Sequence, residues 1–334
     1  MKKNRAIVYR SHGNPSAVLS LEERAVPWPS YCQVRVRLLA ANINPSDLGM
    51  VAGSYGQLRE LPAVAGREAI GEVDFIGEGV DGVEIGTRVR FPQTGAWQEY
   101  ACSEAAHLEV VPEGVPLTQA VQSFINPPTA WCLLRERVAL SEGAWVLQNA
   151  GNSAVGLSVI QMAKEMGYRT INEVRRESLV DPLKNFGADE VVLSDSGWQK
   201  RVNEITAGEP VQLAFNSVGG NSALNQIRAL GEGGVQVTFG GMAREPVRFP
   251  TRELIFKDLC LSGFWWDQWS KKNEPDACKI LHEVHQRMAD GRLYLPVAEV
   301  FPLDRFEEAL TYTSKSHIGK VLLAPDPDRL AEEA

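Results

Sequence analysis

The feature that most constrains the fold is an alternation of strand and helix patterns that begins near residue 144. Residues 144–149 form a short apolar run typical of a buried strand. Val155, Val159, Ile160 and Ala163 then recur at helical spacing. Such alternation, with nearly continuous apolar strands, predicts a parallel sheet covered on both faces by helices. Further strands are predicted at 168–174, 190–193, 211–216 and 235–240.

The residues before 120 follow a different pattern. Val34, Val36 and Leu38 alternate with Arg35 and Arg37, which predicts a half-buried strand, and glycines recur as turn signals between 66 and 86. This pattern favours a compact β-rich domain.

The C-terminal tail is predicted to return to that first domain. A helix is predicted at 276–288, followed by strands at 296–302 and 320–324. We therefore expect a discontinuous domain made of 1–122 and 292–334, interrupted by a second domain at 123–291.

Composition limits the classes of function. The 334 residues are 44% hydrophobic and 23% charged, which is typical of a globular chain of about two domains. A net charge of −8 gives no electrostatic reason to bind nucleic acid or an anionic membrane. The five cysteines lack C-x-x-C spacing, and no run of about 18 apolar residues occurs, so a cytoplasmic protein is expected.

The segment 149–156, Asn-Ala-Gly-Asn-Ser-Ala-Val-Gly, lies where a predicted strand passes into a helix. Gly151 allows a tight turn, Ala154 and Gly156 let the helix pack closely, and the helix N-terminus offers N–H groups to a pyrophosphate. The strict G-x-G-x-x-G spacing is absent. An ordinary strand–turn–helix junction therefore remains an alternative.

The end of the next strand favours NADP over NAD. Enzymes that bind NAD usually have an acidic residue there, whereas this chain has Arg175 and Arg176, which suit a 2′-phosphate. Glu173 and Glu177 argue against this interpretation, and a solvated charged loop is the alternative.

No zinc site can be assembled from the sequence. His282 and His285 are three residues apart, one short of the H-E-x-x-H spacing, so a surface helix is the expected interpretation. Without a metal, a hydrogen-bond donor must polarise the substrate.

Several stretches resemble the mitochondrial-type 2-enoyl thioester reductases, in the zinc-free branch of the medium-chain dehydrogenase/reductases. The likeness runs from about residue 5 to residue 324. The stretch at 42–47 with 53–56, and the stretch at 148–153, also occur loosely in quinone oxidoreductases, whereas the Phe-Trp segment at 263–269 is more specific. The stretches are Asn-Ile-Asn-Pro-Ser-Asp (42–47), Gly-Ser-Tyr-Gly (53–56), Gln-Asn-Ala-Gly-Asn-Ser (148–153), Phe-Gly-Gly-Met-Ala (239–243), Ile-Phe-Lys-Asp-Leu (255–259) and Gly-Phe-Trp-Trp-Asp-Gln-Trp (263–269).

The resemblance implies an α/β fold with two parts. One is a doubly wound parallel-sheet Rossmann domain that binds NADPH, and the other is a β-rich GroES-like catalytic domain. Gly66-Arg67-Glu68 stands where a zinc-dependent alcohol dehydrogenase has a histidine ligand. A homodimer is implied, and because no transit peptide is visible we expect a bacterial-like, cytoplasmic relative.

The resemblance also implies roles for individual residues. Tyr55 matches the proton donor, although a lone tyrosine in a glycine-flanked loop is often a packing residue. Asn44, Trp265 and Trp266 are expected to line the substrate pocket, with the protein core as the alternative for the tryptophans. The expected cofactor-binding residues are Asn126, Gly151, Asn152, Ser153, Ala154, Val155, Gly156, Arg175, Arg176, Phe239, Gly240, Gly241, Met242, Phe264, Trp265 and Lys320.

The implied reaction is NADPH-dependent reduction of the 2,3 double bond of a trans-2-enoyl thioester of coenzyme A or acyl-carrier protein. A hydride reaches Cβ, and a phenol such as that of Tyr55, with a reference pKa of about 10, stays protonated near neutral pH and can donate. An NADPH:quinone oxidoreductase or general enone reductase is the first alternative. A non-catalytic NADPH-binding protein is the second.

Overall fold

The computed structural model describes residues 3–91, 95–135, 137–315 and 317–333. The chain forms two compact units. Unit 1 comprises Met1–Phe124, His285–Gly291 and Pro296–Ala334, and unit 2 comprises Ile125–Val284 and Arg292–Leu295. The predicted functional domain boundaries stay a prediction.

The secondary structure contains the following elements in chain order. The strands are β1 (Lys3–Tyr9), β2 (Leu19–Ala25), β3 (Gln33–Asn42), β4 (Ala63–Val64), β5 (Ala69–Ile76), β6 (Arg88–Phe91), β7 (Tyr100–Glu104), β8 (Glu109–Val110), β9 (Trp145–Asn149), β10 (Arg169–Val174), β11 (Glu190–Leu193), β12 (Val211–Asn216), β13 (Leu230–Thr238), β14 (Cys260–Gly263), β15 (Val297–Pro302) and β16 (Lys320–Ala324). The helices are α1 (Pro15–Val18), α2 (Pro45–Val51), α3 (Leu117–Ala120), α4 (Asn126–Arg135), α5 (Ala154–Glu165), α6 (Val180–Asn185), α7 (Trp198–Thr206), α8 (Gly220–Ala229), α9 (Thr251–Phe256), α10 (Trp266–Lys272), α11 (Glu274–Ala289), α12 (Phe306–Thr313) and α13 (Pro327–Glu332).

Unit 2 is built on a six-stranded sheet in the order β11-β10-β9-β12-β13-β14. Every neighbouring pair is parallel. The strand order reverses between β9 and β12, which is the topological switch point of a doubly wound sheet. Strands β9, β10 and β12 are buried almost throughout. Strands β9 and β12 contain the expected apolar runs, whereas β10 also buries polar side chains.

Unit 1 contains a three-stranded sheet, β2-β1-β4, and a seven-stranded sheet in the order β15-β16-β3-β5-β6-β8, with β7 also paired to β3. The alternation predicted in β3 is confirmed, because Val34, Val36 and Leu38 are buried while Arg35 and Arg37 are not. Strand β16 pairs antiparallel with β3, so this sheet draws strands from both ends of the chain.

The strand predicted at 235–240 differs at both ends from β13, which spans Leu230–Thr238. The segment that starts at Phe239 is a loop. The Phe239 N–H bonds to Asn216 at the end of β12, but the N–H groups of Met242 and Ala243 bond to the turn that follows this strand. Strand β14 was not predicted. Its residues are all exposed or half-buried, so they lack the apolar run of an internal strand.

Candidate functional site

The carboxyl ends of β9 and β12 are joined by two buried asparagines. The Asn149 side-chain amide donates to Asn216 Oδ1 at 2.9 Å and to Ser222 Oγ at 2.9 Å, while its Oδ1 accepts from the Ser217 backbone N–H at 2.8 Å. Asn216 Oδ1 in turn accepts from the N–H groups of Val218 and Gly219. These bonds fix the turn after β12 at the edge where ligands bind in sheets of this topology.

The turn from β9 into α5, predicted to bind a pyrophosphate, is tightly packed. Ser153 is the N-cap residue of α5, and its hydroxyl accepts from the Gly156 N–H at 3.0 Å. A Cβ atom added to Gly156 would lie 2.5 Å from the Gly151 carbonyl oxygen, so only glycine permits this close packing. Gly151 is buried, while Asn152, Ser153 and Ala154 are partly exposed before the buried Val155. The helix N-terminus is thus presented at the sheet edge.

Arg175 and Arg176 follow the last residue of β10, and both side chains are exposed. Glu173, which argued against NADP, instead points into the protein and is 2% exposed. Its carboxylate accepts from Ser194 Oγ and, at 3.0 Å, from Ser222 Oγ. Burial raises the pKa of Glu173, although the two hydroxyls oppose this shift. Both arginines are therefore exposed at this strand end while Glu173 is not, although Glu177 is exposed beside them.

The segment from Phe239 to Met242, which includes Gly240 and Gly241, runs beside the turn after β12. The Phe239 N–H donates to the Asn216 carbonyl at 2.9 Å, and the Met242 N–H donates to the Ser217 carbonyl at 3.0 Å. The structure thus brings this predicted segment to the same sheet edge as the turn at 151–156. Met242 is 48% exposed.

The Phe-Trp segment begins at the end of β14. Phe264 and Trp266 are buried, and Trp265 is half-buried as the N-cap residue of α10. Trp266 stacks on Trp269 with ring centroids 5.7 Å apart, a packing contact within unit 2. Asn126 is 8% exposed at the first residue of α4. The predicted ligand contacts of these residues stay predictions.

In unit 1, a buried polar network connects β3, α2 and β16. Asn44, which precedes α2, donates to Glu68 Oε2 at 2.9 Å and accepts from Lys320 Nζ. Glu68, which is fully buried, also accepts from Asn42 at 2.6 Å. Burial lowers the pKa of Lys320, while the neighbouring carboxyl groups of Glu68 and Asp47 favour its charged form. The structure thus brings together the predicted residues Asn44 and Lys320.

Asp47 lies in the first turn of α2 and is 1% exposed. One carboxylate oxygen accepts from the Asn44 backbone N–H at 2.6 Å. Burial raises the pKa of Asp47 to about 7, against the opposing influence of Arg67 and Lys320. This group therefore titrates near neutral pH inside unit 1.

Tyr55 follows α2 in a glycine-flanked loop and is half-buried. Its phenol oxygen accepts a hydrogen bond from Arg67 Nη1 at 2.9 Å, and Arg67 Cζ lies 4.7 Å from the centroid of the tyrosine ring. Arg67 is 9% exposed. Because the cation occupies the acceptor side of the oxygen, the phenol O–H can be directed to another acceptor.

Within the described residues, no three His, Cys, Asp or Glu side chains are grouped so that they could hold a metal ion. His282 is exposed, whereas His285 is 5% exposed and forms a 2.9 Å hydrogen bond with Ser123 Oγ. The two histidines therefore differ in environment although they share α11. No helix in the described part of the chain is long and apolar enough to cross a membrane.

The sequence interpretation missed several residues that build these sites. Asn149 was identified only as the start of a turn, and Asn216 only as the end of a strand. Arg67 was noted for its position and not for a contact with Tyr55. Each contact joins residues 12 or more positions apart, so no local pattern signalled it.

Two family models match the chain. Residues 31–113 match the alcohol dehydrogenase GroES-like domain, and residues 154–283 match a model described as zinc-binding dehydrogenase. The mitochondrial enoyl-[acyl-carrier-protein] reductase of Homo sapiens is 39% identical over 324 residues, covering 94% of this chain and 87% of the relative.

Two solved structures share the fold. Etr1p, a mitochondrial 2-enoyl thioester reductase from Candida tropicalis solved with NADP and crotonyl-CoA, has a TM-score of 0.87 at 26% identity, covering 97% of this chain and 100% of that one. A candidate NADPH:quinone reductase of Bacillus thuringiensis has a TM-score of 0.89 at 26% identity, covering 97% and 99%.

The GroES-like and Rossmann-type family matches confirm the predicted fold class, and the parallel sheet of unit 2 agrees with it. The human relative is named as mitochondrial, so the predicted cytoplasmic location is not confirmed. Identity of 39% over nearly the whole chain, together with the shared fold, establishes the family. The chain belongs to the enoyl thioester reductases, in the zinc-free branch of the medium-chain dehydrogenase/reductase superfamily.

Proposed function

We propose that this protein is an NADPH-dependent reductase of trans-2-enoyl thioesters, with Tyr55 as the proton donor. The observation that carries the proposal is the hydrogen bond from Arg67 to the phenol oxygen of Tyr55, because a phenol whose oxygen accepts a bond can also donate its own proton. Support also comes from the enoyl reductases that the chain resembles, one of which was solved with NADP and crotonyl-CoA.

The edge of the unit 2 sheet fits a dinucleotide phosphate. Gly156 leaves no room for a Cβ atom beside Gly151, so the start of α5 packs closely on the turn after β9, and its N–H groups are the proposed site of the pyrophosphate. The exposed guanidiniums of Arg175 and Arg176 supply paired donors for a 2′-phosphate. The roles of the segments at 239–242 and 264–266, and of Asn126, are part of the same proposal.

When NADPH is bound, its nicotinamide supplies a hydride for Cβ of the substrate. The protein must then stabilise the negative charge that develops on the thioester oxygen and provide a proton at Cα. Tyr55 donates that proton, and Arg67 remains beside the phenol oxygen as it becomes anionic. Lys320 donates a hydrogen bond to Asn44 in the same unit, and we propose that these two residues line one side of the site.

A steady-state comparison tests the proposal. NADPH oxidation is measured with trans-2-enoyl-CoA thioesters of short and medium chain, beside a panel of quinones and simple enones. We expect saturable turnover of the thioesters. Tyr55→Phe should bind NADPH normally and lose about a hundredfold or more in kcat, because general acid catalysis typically contributes that much. An unchanged kcat in Tyr55→Phe would remove this residue from the mechanism.

Quinone reduction is the second candidate function, because the chain also shares its fold with a candidate NADPH:quinone reductase. A quinone accepts the hydride on a flat ring and needs no proton at a carbon atom, so Tyr55→Phe should leave its reduction nearly intact. Turnover of quinones alone would contradict the thioester proposal. The dimeric state, the compartment and the choice between coenzyme A and acyl-carrier protein stay predictions.

A further inference from the structure

The contact between Arg67 and Tyr55 is more than a single hydrogen bond. The guanidinium donates from Nη1 to the phenol oxygen at 2.9 Å, and its central carbon lies 4.7 Å from the ring centroid. Because the guanidinium both donates to the oxygen and lies over the ring, it restricts the orientation of the ring and the hydrogen-bonding geometry of the oxygen.

Arg67 is held in place by its own segment of backbone. Gly66 adopts a φ of +87°, and a Cβ atom there would lie 2.3 Å from the Trp97 ring, so glycine alone lets the chain turn against that indole. Trp97 is fully buried and donates from Nε1 to the Asn42 carbonyl at 2.9 Å. The arginine therefore extends from a rigid part of unit 1, while Tyr55 lies in a loop.

We propose that Arg67 is the positioning residue for the proton donor, orienting the Tyr55 phenol and stabilising the phenolate that remains after proton transfer. The inference rests on the proposed role of Tyr55 as donor. In the ground state, the guanidinium holds the phenol oxygen by its acceptor side. After transfer, the same bond becomes a charge-assisted contact between a cation and an anion.

Proton transfer from Tyr55 leaves a negative charge on its phenol oxygen, and a neighbouring cation stabilises that charge. Hydride addition forms the Cβ–H bond and moves the double-bond electrons into an enolate. The enolate then forms the Cα–H bond with the Tyr55 proton, and the electron pair of the broken O–H bond stays on the phenol oxygen. That oxygen faces Arg67 until a solvent proton restores the phenol.

Other charged groups surround this arginine. Asp47, from α2, and Arg59, from the loop before β4, both interact electrostatically with Arg67. Glu68 and Lys320 act in turn on Asp47. Arg59 donates to the Val64 carbonyl. Replacement of Arg59 therefore removes one positive charge from the same cluster while the Arg67–Tyr55 bond remains, which makes Arg59→Met a matched control.

Tyrosines labelled with ¹³C at Cζ give a direct readout by NMR, and the signal missing from Tyr55→Phe identifies Tyr55. In Arg67→Met, we expect this signal to titrate about one to two pH units higher than in the wild type, since a hydrogen bond to a charged group is lost. Arg67→Lys should restore part of the difference, and Arg59→Met should shift the signal less. Urea midpoints check that each variant is folded.

Turnover provides the second readout. With an enoyl thioester, Arg67→Met should lower kcat about tenfold or more with little change in KM, and the alkaline limb of its pH profile should move upward. An unchanged Tyr55 titration, or an equal shift in Arg59→Met, would overturn the positioning role alone. Unchanged turnover in Tyr55→Phe would instead overturn the proposed donor itself, and the positioning role with it.

Discussion

Asn149 and Asn216 face each other at the switch point of the parallel sheet, with the Nδ2 atom of one 2.9 Å from the Oδ1 atom of the other. They belong to neighbouring strands, β9 and β12, and both are at most 2% exposed. Between them they satisfy three backbone N–H groups of the following turn, those of Ser217, Val218 and Gly219. This pair therefore holds the turn after β12 at this edge of the sheet.

Replacement of Asn149 by alanine should loosen that turn. Four hydrogen bonds involving its side chain are lost and buried partners remain, which costs about 1–3 kcal/mol for each group left unsatisfied. Hydrogen exchange of the amides at 217–219 should become faster, and NADPH affinity should fall. Asn203→Ala, an exposed amide in α7, is the control. Unchanged protection at 217–219 would show that the turn is held by other contacts.

The pair Arg175 and Arg176 should determine the preference between cofactors. Replacing both by alanine removes the donors for a 2′-phosphate, and each charge-assisted hydrogen bond is worth about 1.5–3 kcal/mol. We expect the Kd for NADPH to rise about tenfold or more, with little change for NADH. Calorimetric titration of both nucleotides measures this difference. Arg228→Ala removes an exposed charge in α8 and should affect neither, whereas an equal loss for NADH would contradict a 2′-phosphate site.

Asp47 should make stability depend on pH in an unusual direction. Its pKa is raised to about 7 by burial, so the folded chain holds this proton more tightly than the unfolded chain, where the pKa is about 3.9. The stabilising contribution is full below the unfolded value and is lost as the pH rises through about 7. Asp47→Asn mimics the protonated group, so its stability relative to the wild type should increase between about pH 5 and about pH 8.

Urea unfolding at the two pH values measures this difference. Glu72→Gln is the matched control. Burial alone would raise the pKa of Glu72, but the hydrogen bonds that it accepts from Arg329 and Arg37 lower this pKa overall. The contribution of Glu72 is lost only as the pH falls below its unfolded value of about 4.3, so its variant should show no trend in this range. A flat response in Asp47→Asn would mean that the carboxylate is accommodated in its charged form.

The sequence predicted those parts of the fold that a local pattern specifies. Strands β9 and β12 are buried on both faces and contain short apolar runs that can be identified without a structure. Strand β10 is equally buried, but its sequence, Arg-Thr-Ile-Asn-Glu-Val, is mostly polar. Strand β14 has no such run, because it lies at the edge of the sheet with half-buried and exposed side chains. Its existence depends on pairing with β13, which is a tertiary contact.

Glu173 shows why charge alone was a poor guide to the cofactor. The sequence places it next to the arginines, where a carboxylate would repel a 2′-phosphate. In a strand, successive side chains point to opposite faces, and Glu173 turns inward to Ser194 and Ser222. Ser194 follows β11 and Ser222 lies in α8, so both partners are distant in sequence and no local pattern indicated the pairing.

Isotope transfer tests the central claim most directly. The protein is incubated with a trans-2-enoyl-CoA and NADPH deuterated at C4 of the nicotinamide, and the product is analysed by mass spectrometry and NMR. We predict a saturated thioester with deuterium at Cβ and a solvent-derived proton at Cα, formed about a hundredfold or more slowly by Tyr55→Phe. The account would be contradicted if the thioester stayed unreduced and the deuterated NADPH were oxidised only in the presence of quinones.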